Sequence, residues 1–222
     1  MAIDDYEGNT FVAFLDISGF KVMMDDERRA LRALDRFYQA GFWVLGNQNN
    51  VANGRVDGFF VSDSGILFVR YEREGGVEQL ELIMRAVERI NQKMLRKDFM
   101  LTTSIAYGHF SYHGRLEFRG IEKNPIYGDA YVHAFLDNEN EKPKIQPGQC
   151  RIIKRGLPVT CENLSTRNQP SLFRKLKDNG KHYYFYWMVN SGEEIEDFER
   201  RYNDAYNLKY SGMLHALKRP EA

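Results

Sequence analysis

Residues 11–15 read Phe-Val-Ala-Phe-Leu, an unbroken apolar run, and Asp16 follows at once. A strand with one wet face alternates apolar and polar side chains, so this pattern belongs to a strand buried within a sheet. The acid at its end then sits where the sheet meets solvent. The rest of the fold must be built around that strand. The length of 222 residues suits one elaborated domain over 1–222, with a core over about 11–190 and a C-terminal helix over about 194–217.

Between Glu27 and Leu45, the positions Ala30, Leu31, Leu34, Phe37, Tyr38, Phe42 and Leu45 recur at intervals suited to a helix with that face buried. Residues 55–61 and 65–70 read as two strands joined by the polar tip Ser62-Asp63-Ser64. Leu80, Ile83, Met84, Val87, Ile90 and Met94 mark a second amphipathic helix, and 100–110 a further strand. Later elements are a strand at 115–119, a helix at 129–136, a polar loop, strands at 150–153 and 182–189, and a helix at 194–217. Hairpins separated by helices favour an α+β sheet covered on one face over a doubly wound one.

Composition excludes several classes. A hydrophobic fraction of 43% beside 28% charge is neither disordered, collagen-like nor coiled-coil. Lys plus Arg number 31 and Asp plus Glu 31, so no global field draws the chain to nucleic acid or to an anionic membrane. No apolar run nears the roughly 20 residues of a membrane span, and the start MAIDDYEGNT is acidic where a signal peptide is basic and then apolar. The expected location is cytoplasmic. Cys150 and Cys161 lack metal-ligand spacing and read as reduced structural thiols.

Two acids carry the chemistry. Asp16 ends a strand and Asp63 tips a hairpin, and a pair of carboxylates suits Mg2+ or Mn2+ when a polyphosphate supplies further oxygens. Either acid alone reads more readily as a loop cap than as a ligand. Strand alternation would project Arg55, Asp57, Phe59, Val61 and Asp63 to one face, placing Asp57 and Phe59 beside a triphosphate bound at Asp63. Phosphate loops, dinucleotide fingerprints, HExxH and GxSxG motifs do not occur.

The string Phe14-Leu15-Asp16-Ile17-Ser18-Gly19-Phe20 resembles the FxDIxGF motif of class III nucleotidyl cyclases. Val61-Ser62-Asp63-Ser64 resembles their second metal-binding hairpin, and Tyr127-Gly128-Asp129-Ala130 the opening of their catalytic helix, so the similarity spans about residues 11–140. It implies a ferredoxin-like α+β nucleotidyl cyclase fold acting as a head-to-tail homodimer. Asp16, Asp63 and the carbonyl of Ile17 would hold two divalent cations, Mn2+ or Mg2+. The backbone of Ser18, Gly19 and Phe20 would cradle phosphates, and Phe14 would pack on the sugar. Lys177 or Lys181 loosely resembles the family's late phosphate-binding lysine.

Departures from the family pattern narrow the substrate. Phe59 and Pro125 stand where purine cyclases place their base-reading side chains, and neither can donate or accept through its side chain. Val132 and Leu136 stand at the family's transition-state Asn and Arg. Arg115 and Arg119 are candidates to replace that arginine. The pattern looks like the bacterial Pycsar pyrimidine cyclases, which implies UTP cyclised to cyclic UMP and pyrophosphate. The product would act as a second messenger on an antiphage effector. The alternatives are a cytidylate cyclase using CTP and a catalytically silent, nucleotide-sensing module. A haloacid-dehalogenase-like phosphatase expects a second Asp where this chain has Ser18.

Overall fold

The computed structural model describes residues 3–48, 54–71, 76–118, 121–123, 126–140, 142–161, 164, 171–206 and 209–218. Strand β1 (Tyr6–Ile17) leads through a one-turn helix α1 (Phe20–Met23) into α2 (Glu27–Gln48). The hairpin β2 (Gly54–Val61) and β3 (Ser64–Tyr71) follows, then α3 (Gly76–Leu95) and β4 (Leu101–Tyr112). These four strands pair antiparallel in the order β2-β3-β1-β4, the ferredoxin-like arrangement.

Beyond β4, the strands β5 (Arg115–Phe118) and β6 (Ile121–Lys123) form a separate ribbon. Strand β7 (Ile126–Tyr127) returns to pair with β4 and delivers α4 (Asp129–Glu139). Strand β8 (Cys150–Ile153) lies parallel to β4, and β9 (Leu176–Asn179) and β10 (His182–Phe185) extend the sheet, with β9 at its far edge. Helices α5 (Ile195–Tyr206) and α6 (Lys209–Leu217) follow. Among the described residues no helix is long and apolar enough to cross a membrane.

The sheet is covered on both faces, where one was expected. Phe11, Ala13, Leu15 and Ile17 join the core beneath α2 and α3, while Val12 and Phe14 pack with Phe68, Phe110, Ala130 and Ala134 beneath α4. The unbroken run of β1 already required this, since both sets of its side chains must leave water. On α3, Leu80, Ile83, Met84, Val87, Ile90 and Met94 are fully buried, as their spacing predicts. Each contributes about 1.5–3 kcal/mol of transfer free energy.

Helix α2 buries only part of the expected stripe, with Ala30 and Phe37 buried and Leu34 and Leu45 partly so. Ala30, Ala33, Phe37, Ala40 and Val44 face the core, whereas Leu31 is 68% and Phe42 84% exposed. Small residues form the contact because β2 supplies the bulk: a Cβ on Gly41 would come within 2.1 Å of the Phe60 ring. Two further boundaries differ. The expected strand 182–189 stops at Phe185, and 186–189 turn inward, with the Trp187 indole donating to the Gly148 carbonyl at 2.8 Å. The expected C-terminal helix is two helices, joined by a hydrogen bond from the Tyr202 hydroxyl to Met213 Sδ at 3.5 Å.

Candidate active site

Asp16 is the penultimate residue of β1, opposite Ser64 of β3 and Thr102 of β4. Its side chain shares the α4 face with Phe14, and Ser64 Oγ donates to Asp16 Oδ1 at 3.2 Å. Asp63 belongs to the two-residue turn joining β2 to β3, in which Ser62 has a φ of 54°. A positive φ at the first turn position is normally given to glycine, and such strain collects at functional turns. The Ile17 N–H donates to the Asp63 carbonyl at 3.0 Å, so the hairpin tip is tied to the end of β1. Both carboxylates therefore belong to one rigid corner of the sheet.

That corner is electrostatically costly. Burial, then the charge of Asp63, push the Asp16 carboxyl up to about 7; the Ser64 hydrogen bond opposes this and Glu139, at the end of α4, adds to it. A group with a raised folded pKa favours the folded state while protonated, and that benefit is lost as pH rises from about 4 through about 7. Asp16→Asn cannot ionise and still accepts from Ser64. In metal-free protein its stability gain should be small below about pH 4 and grow to the order of 4 kcal/mol at about pH 8, read by urea melts in chelator. An unchanged gap across that range would contradict the assigned cause.

The loop after Asp16 is shaped by Gly19. Its φ of 75° and ψ of 18° turn the chain from β1 into α1, and its carbonyl accepts from the N–H groups of Val22 and Met23 at 3.0 and 3.1 Å. Ile17 is fully buried and Phe20 nearly so, leaving only backbone for the site. Ser18 is 5% exposed, its N–H donates to the Met100 carbonyl at 2.9 Å, and its Oγ has no partner among the described residues. Gly128 serves α4 in a related way: a Cβ there would meet the His109 carbonyl oxygen at 2.2 Å, so glycine lets the helix start against β4.

Other expected residues fall elsewhere. Phe14 is 4% exposed and meets Phe135 of α4 edge-on at 5.2 Å, so within one chain its ring is occupied. Phe59 stacks on Tyr112 at 5.6 Å. Asp57 is engaged by Arg70 and by Arg55, the latter at 3.2 Å. Strand alternation stops at Val61, so Asp63 takes its direction from the turn and not from the face of β2. Lys177 pairs with Glu199 at 2.5 Å on β9. Three strands separate β9 from β1, about 19 Å at ordinary strand spacing, so one chain does not bring Lys177 to Asp16. Lys181 lies in the exposed turn before β10. Pro125 and Arg119 lie outside the described residues, as does the side chain of Arg115.

Sequence reasoning missed what α4 brings to the corner. Thr102 Oγ1 donates to Asn138 Oδ1 at 2.9 Å, next to Asp16 across the β1–β4 ladder. Beneath it, Asp137 accepts from Ser104 at 2.5 Å, Arg151 Nε at 2.7 Å and His182 at 2.7 Å, with Arg151 fully buried. Burial raises the Asp137 pKa, but the hydrogen bonds from His182, Ser104 and Arg151 and the Arg151 charge outweigh it and hold it below the usual carboxylate range. The cysteines are inert: burial keeps both thiols protonated, Cys161 pushed up to about 11.

Among the described residues no group of three or more His, Cys, Asp or Glu side chains is placed to hold a metal. Asp16 and Asp63 offer two adjacent carboxylates whose repulsion a cation would relieve. That fits a hard divalent ion, which is commonly held by one or two carboxylates with water and substrate phosphates completing its shell.

No protein-family model matches the chain. No curated protein matches it. Solved structures do resemble it. The dimeric guanylyl cyclase domain of the RhoGC fusion protein from the aquatic fungus Blastocladiella emersonii matches with a TM-score of 0.58 at 12% identity, over 83% of this chain and 98% of that one. The guanylyl cyclase Cya2 gives 0.52 at 12% identity, over 82% and 92%. A class III adenylyl cyclase-like ATP-binding protein from Pseudomonas aeruginosa gives 0.53 at 13% identity, over 74% and 38%. The likeness is one of fold: the chain has the α+β architecture of these cyclase domains.

Proposed function

We propose that this chain, on the fold it shares with class III cyclase domains, is a cytoplasmic nucleotidyl cyclase that makes cyclic UMP from UTP. The observation that carries the reading is the Asp16–Asp63 pair, fixed at one corner of the sheet by the Ile17 to Asp63 hydrogen bond. Asp16 and Asp63 would hold Mg2+ or Mn2+, with the Ile17 carbonyl as a further ligand. The bound ions would offset triphosphate charge and acidify the 3′-hydroxyl. The 3′-hydroxyl oxygen would bond to the α-phosphorus as the bond to the pyrophosphate oxygen breaks, with the hydroxyl proton passing to solvent water and pyrophosphate released. The rigid corner holds the carboxylates in place, and the turn at Gly19 presents backbone to the phosphates. A silent nucleotide-sensing module has no use for a carboxylate pushed up to about 7, because that strain costs stability.

A homodimer with composite sites is supported by the outer face of α4. Val132 and Leu136 are each 44% exposed and Phe135 37%, beside Tyr127 at 49%, an apolar strip that one chain leaves uncovered. In such a dimer, Phe59, Lys177 and Lys181 would meet a substrate held by the partner's metal pair, while Phe14, buried against Phe135 beside Asp16, stays with the pair of its own chain. The whole chain would then be one cyclase domain, and its product would signal to an antiphage effector.

Pyrimidine choice rests on Phe59. Its ring, held by Tyr112, puts an apolar wall where purine cyclases read their base, which leaves room for one ring. Asp57 could accept from uracil N3–H or the cytosine amine only by sharing its arginines, so CTP is the close alternative. In an equimolar competition of UTP, CTP, ATP and GTP, UTP should be consumed first, and Phe59→Lys should erode that preference about tenfold. ATP or GTP as best substrate would overturn the pyrimidine assignment and leave the cyclase reading standing.

A further inference from the structure

Asn138 is 3% exposed, and its two polar atoms are treated differently. Oδ1 accepts from Thr102 Oγ1 at 2.9 Å, while Nδ2 has no partner among the described residues. A buried donor without an acceptor is expensive, and native proteins retain few of them. Its position gives it a purpose. Thr102 is the cross-strand partner of Asp16, and the side chains of Asp16, Ser64 and Thr102 share the face of the sheet that α4 covers. The amide is also held firmly, because Asp137, one residue earlier, is clamped to Arg151, His182 and Ser104.

We propose that Asn138 is a positioning residue for the metal pair: its Nδ2 donates to the Asp16 carboxylate when that carboxylate turns onto a divalent ion. Thr102 fixes the amide, the Asp137 clamp fixes the turn of α4 that carries it, and the donor left over is used when the site is loaded. This rests on reading Asp16 and Asp63 as metal ligands. Hydrogen bonds that orient a ligating carboxylate typically change metal affinity about 10–100-fold.

The test measures Mn2+ affinity by electron paramagnetic resonance, with and without UTP, beside the urea midpoint of the metal-free protein. Asn138→Leu, similar in volume and free of polar atoms, should weaken Mn2+ binding about tenfold or more while leaving the midpoint unchanged or raised. A purely structural residue would not separate the two readouts in that way. Thr102→Val, which removes only the anchoring hydroxyl, should weaken Mn2+ binding in the same direction and keeps the test decisive if the leucine variant does not fold. Wild-type affinity in Thr102→Val and in any folded Asn138→Leu, with affinity lost in Asp16→Ala, would overturn the role of Asn138 alone. Wild-type affinity in Asp16→Ala, or no Mn2+ binding by the unaltered protein, would overturn the metal pair and this proposal with it.

Discussion

Asp16→Ala and Asp63→Ala should each abolish turnover, with kcat/KM falling at least about 1000-fold, equivalent to about 4 kcal/mol of transition-state stabilisation. Neither change opens a core cavity. Asp63 lies in a turn whose bond to β1 is made by its backbone carbonyl, and that bond survives the substitution. Asp16 is a source of strain, so its removal should leave the metal-free protein at least as stable above pH 7. Circular dichroism and urea melts would confirm intact folding. Near-wild-type turnover in both variants would contradict the assignment of these acids.

The largest effect on stability is expected from Asp137→Ala. It removes the carboxylate that Arg151, His182 and Ser104 share, leaving a fully buried guanidinium with, among the described residues, the backbone carbonyls of position 137 and Pro143 as acceptors. Breaking one side of a buried ion pair costs about 3–5 kcal/mol, because the remaining charge stays desolvated. Urea unfolding at neutral pH would measure this. The pH course follows from the lowered Asp137 pKa: its contribution is present above the unfolded carboxylate value and is lost as pH falls through the folded one, so wild type and variant should converge in acid. A difference under about 1 kcal/mol at neutral pH would mean that the network does not anchor α4.

Asp16 and Asp63 were legible in the sequence because each is a local event, an acid ending an apolar run and an acid in a polar tip between two strands. The βαββαβ order was legible for the same reason. Asn138 and Asp137 were not, because their meaning depends on where α4 crosses back over β1 and β4, more than one hundred residues after Asp16 in the chain. Nothing in the local pattern 137–139, an acid, an amide and an acid within a polar stretch, separates a clamp from solvent-facing polarity. The buried face of α2 was read only in part because Ala33, Ala40 and Gly41 carry little hydrophobic signal, although the ring of Phe60 leaves no room for a side chain at Gly41. The second layer over the sheet was written in β1 itself, where Phe14 and Val12 had to be covered by something other than the helices covering Phe11 and Leu15.

The measurement closest to the central claim is phosphorus NMR of UTP incubated with purified protein and Mg2+, repeated with CTP, ATP and GTP. The predicted result is loss of the UTP triphosphate signals in step with the appearance of pyrophosphate and a single cyclic phosphodiester resonance, both absent with Asp16→Ala. Release of UDP and inorganic phosphate, or no cyclic product from any of the triphosphates, would contradict it.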